Sequence, residues 1–219
     1  MKTVPRYYNF VTTNEELANA FEKRLERLEA LDIRASVACQ DFATFTPNGP
    51  SLLVTPGNSF GHMTGGFDGA VVKRFTHQGD VDAAMRKLIV EGWGGELPVG
   101  SALMLPVNDP IYHGVIYAPT MRIPHELPEG TDAAYTATWA ALNCFSHTSL
   151  MDMFTRRKAM DPAMAITLTG MGTSTGLIPA EVAAEHMILA IERFHMNIEI
   201  DNLWTDGFAH HTNLTTWKR

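Results

Sequence analysis

The sequence predicts a three-layer α/β fold, α-β-α, built on a mixed or parallel central sheet. Short apolar runs alternate with segments whose hydrophobic residues recur at helical spacing, the pattern of strands and the helices that cover them. Two glycine-rich stretches, 55–68 and 170–178, each follow an apolar run and precede a helical segment. Ligands in such folds sit beyond the carboxyl ends of the strands, so both stretches are expected along one edge of the sheet.

Taken in order, Tyr7 to Val11 reads as the first strand. Thr13-Asn14-Glu15-Glu16 has the form of a capping box, with Thr13 at the cap. Leu17, Phe21, Leu25 and Leu28 then predict an amphipathic helix over 14–30. Ser36 to Phe42 and Leu52 to Thr55 read as strands, and Gly69 to Arg74 as a short helix. Asp80 is placed to cap a helix reaching Glu91, whose apolar stripe is Val81, Met85, Leu88 and Ile89. Ala102 to Val107 and Val115 to Ala118 are apolar strands bounded by Pro and Gly. Thr131 to Phe145 is an alanine-rich helix with Tyr135, Trp139 and Leu142 on one face. Met164 to Thr169 is a last buried strand, and Pro179 opens a helix to about Phe194.

The chain has 219 residues, 45% hydrophobic and 19% charged, with a net charge of −7. That length suits one domain, 1–219, with a motif-bearing core at about 36–194 and a strand-helix and a tail as extensions. The acidic balance argues against nucleic-acid or anionic-membrane partners. No apolar run approaches the roughly 20 residues of a spanning helix. Met1 to Val11 carries charge and tyrosine where a signal peptide needs an apolar stretch. With only Cys39 and Cys144, a reduced, cytoplasmic protein is expected. The nine histidines show no metal-ligand spacing, so neither metal nor cofactor is expected.

The loop 55–68 sets Asn58 and Asp68 among glycines, offering N–H groups, an amide and a carboxylate on one rim. The plain alternative is Asn58 in a turn and Asp68 capping the next helix. Gly170 to Ile178 has amides and hydroxyls suited to an anion, or is a turn that needs glycine for left-handed dihedrals. Asp41, at the end of a strand, is either a buried carboxylate that needs a partner or part of a strand-end turn. Gly172-Thr173-Ser174-Thr175-Gly176 also satisfies Gly-x-Ser-x-Gly, with Asp201, Asp206, His210 and His211 following. A nucleophile elbow runs straight into its helix, however, and Pro179 starts the helix several residues late. Neither a dinucleotide fingerprint nor a P-loop fits.

Together these segments resemble the macro domains that bind ADP-ribose, in particular bacterial and phage members. The family's first loop, Val-Asn-Ala-Ala-Asn through Val-Asp-Gly-Ala-Ile, is similar to Val54-Thr55-Pro56-Gly57-Asn58 through Phe67-Asp68-Gly69-Ala70-Val71. Its later Pro-Gly-Leu-Gly-Thr-Gly-Val-Gly-Gly-x-Pro loop lies over Thr169 to Pro179. Ile116 to Arg122 and Ala134 to Thr138 resemble a strand and a helix between them. The resemblance implies that Asp41, with the Phe42 amide, reads the adenine 6-amino edge. It implies that Gly172, Thr173, Ser174, Thr175, Gly176 and Leu177 wrap the diphosphate, with Gly65, Gly66 and Phe67 approaching from the other side. Asn58 and Asp68 would face the distal ribose, Asp68 orienting a water in members that hydrolyse ADP-ribosyl esters. Thr55 replaces an Asn of the pattern, and Ser174 and Leu177 replace glycines. The Gln-Glu-Glu signature of the polymer-cleaving branch is absent. A ligand-free interaction or assembly protein and a Ser174-dependent hydrolase are the alternatives.

Overall fold

A computed structural model describes residues 3–155, 165–196 and 202–218. Its six-stranded sheet runs β2-β1-β6-β3-β5-β4, from β1 (Tyr7–Thr12), β2 (Arg34–Cys39), β3 (Ser51–Asn58), β4 (Leu103–Pro106), β5 (Tyr112–Met121) and β6 (Ala165–Leu168). All neighbours pair parallel except β4, which is antiparallel to β5 at the edge. The sheet is therefore mixed, one of the two arrangements that the alternating pattern allows.

The two-residue period of the strands sorts the core into two layers. Tyr8, Phe10, Leu52, Val54, Ile116 and Ala118 face one side, against α1 (Glu15–Glu22), α5 (Ala133–Thr155) and α6 (Ala180–His195). Val11, Leu53, Val115 and Tyr117 face the other, against α3 (Gly66–Arg74) and α4 (Val81–Trp93). Helices on both faces of one sheet make the α-β-α sandwich. Among the described residues no helix is long and apolar enough to cross a membrane.

Several elements differ from the sequence expectation. The helix expected over 14–30 is two, α1 and α2 (Leu25–Glu29). Arg24 Nη1 takes the Ala20 carbonyl at 2.8 Å, the acceptor its own N–H would use in a continuous helix, and that N–H turns to Phe21 O instead. The tighter turn brings Arg24 onto Glu181 and Glu185, and Arg27 onto Glu185 and Glu192 of α6. The cap of α1 is Asn14, whose side chain accepts from Leu17 N, with Thr12 Oγ1 in turn accepting from Asn14 N. Thr13 has no capping role.

Strand β2 ends at Cys39, so Asp41 and Phe42 leave the sheet and enter a single 3₁₀ turn, Phe42–Thr44. Helix α3 starts at Gly66, three residues before the expected Gly69. Asp80 does cap α4, accepting from Ala83 N at 2.9 Å, and Gly94, left-handed at φ 66°, closes that helix. Pro179 stands at the cap of α6, one residue before its first turn. Helix α5 runs ten residues past Phe145. In the tail, α7 (Leu203–Thr215) leaves Trp204 and Phe208 exposed, while Trp217 returns to the body and donates to Thr131 O at 2.9 Å. Met164, Asp201 and the start of the tail expected from Asn197 lie outside the described residues.

A candidate nucleotide site at the carboxyl ends of the strands

Every parallel strand delivers its carboxyl-terminal loop to one cavity of about 700 Å³. Strand order sets the order of the walls. Gln40, Asp41 and Phe42 follow β2; Thr12, Thr13 and Asn14 follow β1; Gly170 to Gly176 follow β6; Asn58 to Asp68 follow β3; and Thr120, Met121 and Pro124 close β5. Four inter-strand steps at about 4.8 Å make a trough about 19 Å long, suited to an extended ligand. The two glycine-rich stretches thus meet, because β6 and β3 are neighbours.

At the β2 end Asp41 is exposed. Its Oδ1 accepts from Ala43 N at 2.8 Å, and its second oxygen has no hydrogen bond among the described residues. Asp41 is therefore not the buried carboxylate in need of a partner; the strand-end turn is the reading that holds. Beneath it the buried Phe42 ring lies 5.1 Å from that of Phe67, giving an apolar corner beside a hydrogen-bond acceptor.

At the centre, Gly172 adopts φ +70°, and a Cβ there would stand 2.7 Å from Ile178 Cδ1, so glycine is required on both counts. No described residue accepts from the N–H groups of Thr173, Ser174, Thr175 or Gly176. Ser174 and Thr175 are exposed. Leu177 lies outside the cavity lining and is 53% exposed. Its φ of 54° is the left-handed backbone that glycine adopts more easily. Ser174 has no hydrogen bond to a histidine among the described residues, and α6 begins only at Ala180, so the nucleophile-elbow reading lacks its geometry.

At the β3 end, Asn58 is buried and its amide is occupied. Nδ2 donates to His62 O at 2.9 Å and Oδ1 accepts from Phe60 N at 3.0 Å. Tyr117 Oη accepts from Asn58 N (3.0 Å) and donates to Asn58 O (2.9 Å). Asn58 thus braces the 58–62 turn with both ends of its side chain. Asp68 does not cap α3; Gly65 holds that position. Its half-buried carboxyl instead accepts from the buried Thr55 hydroxyl at 2.5 Å. Burial pushes the Asp68 carboxyl up to about 7; the Thr55 hydrogen bond opposes this and the Asp82 charge adds to it. Asp82 itself is held by Met63 N and Arg86.

Among the described residues no Lys or Arg lines the cavity; the ionisable ones that do are Asp41, Asp68 and His62. An anion here would be held by backbone N–H groups, those of the β6 loop and of the first turn of α3. The sequence reading missed the linings from β1 and β5 and His62 and Thr64 between them. Applying the strand-end rule to every strand, and not to the glycine-rich ones alone, would have found the first two.

No protein-family model matches the chain. It is 32% identical over 148 residues to an uncharacterized protein of Aquifex aeolicus (strain VF5), a match covering 65% of this chain and 73% of that one. The chain belongs to that protein's family. Among solved structures, the macrodomain of Mycobacterium tuberculosis DarG is similar at a TM-score of 0.49 and 13% identity, over 71% of this chain and 88% of that one.

Proposed function

We propose that the cavity binds ADP-ribose or a related NAD-derived metabolite and that Asp68 there assists hydrolysis of an ADP-ribosyl ester. One observation carries the reading: the two loops that resemble the macro-domain motifs, with Asp41 and Phe42, line a single cavity. Its volume of about 700 Å³ falls in the range of nucleotide-sized pockets, roughly 300–1,000 Å³. The chemistry fits from end to end. An acceptor beside an aromatic corner suits adenine, N–H groups with no acceptor among the described residues suit a diphosphate at the centre, and a carboxyl poised near neutrality suits proton transfer at the far end.

In the reaction proposed, water adds to the ester carbonyl and Asp68, as carboxylate, takes its proton. The bond from the carbonyl carbon to the ribose oxygen then breaks, and Asp68 returns the proton to that oxygen. Thr55 orients the carboxyl through Oδ1, leaving Oδ2 for the water. Asn58 acts one step back, by bracing the turn.

Calorimetric titration with ADP-ribose tests the binding. One-to-one saturation by the wild type is expected, with Asp41→Ala weakening it about tenfold or more through the lost charge-assisted hydrogen bond. Folded protein that takes up no ADP-ribose would refute the reading. A second reading, an interaction protein, is favoured by Trp204 and Phe208, 84% and 66% exposed on α7. It predicts an unfilled pocket and association lost in Trp204→Ser.

A further inference from the structure

Strand order assigns a place in the trough that neither glycine-rich loop fills. β1 stands between β2 and β6, so its loop lies between the wall expected to read the base and the wall expected to hold the diphosphate. Register gives the alignment: Thr12 pairs with Cys39 on one side, and Phe10 with Leu168 on the other. Continuing each pairing sets Thr13 and Asn14 level with Gln40 and Asp41 on one side, and with Met171 and Gly172 on the other. In a nucleoside diphosphate the group between base and diphosphate is the proximal ribose.

The loop is built to present one side chain. Thr12 Oγ1 is engaged by Asn14 N, and Asn14 Oδ1 by Leu17 N. Thr13, between them, lines the cavity, is exposed, and makes no hydrogen bond among the described residues. Helix α1 holds the loop in place, since Leu17 packs so closely on Gly170 that a Cβ there would lie 2.4 Å from Leu17 Cδ2. Glu15 and Glu16 in the first turn of α1 oppose an anion at this point, which leaves a neutral hydroxyl-bearing group as the fitting occupant.

We propose that Thr13 hydrogen-bonds a hydroxyl of the proximal ribose and makes the β1 loop a specificity-determining wall that separates ribo- from deoxyribonucleotides. This rests on the ADP-ribose reading above. The test is calorimetric titration of ADP-ribose, ADP, 2′-deoxy-ADP and 3′-deoxy-ADP into wild type, Thr13→Val, Thr13→Ser and Asp41→Ala. Wild type should prefer ADP over at least one deoxy analogue by about fivefold to tenfold. Thr13→Val, nearly the same size, should bring that ratio to within about twofold, and Thr13→Ser should keep it. Asp41→Ala should weaken all four ligands and leave the ratio standing.

Thr13 is exposed and makes no hydrogen bond among the described residues, so matching melting curves are expected for its variants. If wild type binds ADP-ribose yet holds ADP and both deoxy analogues equally, or if Thr13→Val keeps the preference, the proposal is overturned while the ADP-ribose reading stands. If wild type binds neither ADP-ribose nor ADP, both fall.

Discussion

Asp68→Asn is expected to cut ester turnover by about 10²–10⁴-fold while leaving ADP-ribose affinity within about threefold. The amide keeps the shape of the carboxyl and can still accept from Thr55, so the floor of the cavity stays in place. What it lacks is a site for the proton of the attacking water. Because burial pushes the wild-type carboxyl up to about 7, the base form gains population as pH rises through neutrality. Wild-type kcat/KM should therefore rise with pH through about 7 and level off above it, and that rise should vanish in the variant. Single-turnover hydrolysis of an ADP-ribosyl ester from about one and a half pH units below the folded value to about one and a half above it reads both effects. Turnover that survives in Asp68→Asn would remove Asp68 from the mechanism.

The same substitution should act oppositely on stability. The folded protein holds the Asp68 proton up to about 7, whereas an unfolded Asp releases it near 3.9. Between these values the folded state binds the extra proton, so this group's contribution to stability falls as pH rises through the window. Above it the cost is fully present. Its ceiling is about 4 kcal/mol, and the partial exposure of Asp68 reduces the expectation to about 1–2 kcal/mol. Asp68→Asn should thus melt about 2–8 °C higher than wild type at pH 8 and close to it at pH 4. Gain of stability with loss of turnover is the signature of a carboxyl kept buried for its chemistry.

The sheet and its helices were legible because hydrophobic period is a local signal. Leu52, Leu53 and Val54 read as a strand from side-chain type alone, and the structure divides them between two cores. The helix break at Arg24 was not legible. It depends on glutamates of α6 more than 150 residues away, and nothing local distinguishes Arg24 from any other helical arginine. The site divides in the same way. Asn58 and Asp68 stood out as polar residues among glycines, but how each is used is set by contacts across the sheet. Asn58 is spent on its own turn and on Tyr117, while Asp68 answers to Thr55. Thr13 was hidden by a capping motif that fits four residues of sequence; in three dimensions Asn14 takes the cap and releases Thr13 to the cavity.

Gly57→Ala should be strongly destabilising, because the added methyl runs into a buried ring. An ideal Cβ on Gly57 would lie 2.1 Å from Tyr117 Oη and 2.2 Å from Cζ, inside any permissible contact. The Tyr117 ring cannot step aside cheaply, because it is fully buried and packed with Leu53 and Val115 in the core beneath α3 and α4. Moving it forfeits both hydrogen bonds to Asn58, each worth about 1 kcal/mol, and leaves a buried donor and acceptor unpaired. With the overpacking strain of about 1–3 kcal/mol, the loss should reach about 3–5 kcal/mol and lower the melting temperature on the order of 10 °C. Tyr117→Phe removes the hydroxyl alone and should cost about 1–3 kcal/mol. The decisive comparison is Gly57→Ala in a Tyr117→Ala background, where the methyl has space. There it should cost less than about 1 kcal/mol, a strong departure from additivity. Equal costs in both backgrounds would mean that Gly57 serves the path of the chain and not the ring. The first outcome would place the origin of this glycine in Tyr117, whose hydroxyl pins the strand end from which the 58–62 turn is hung.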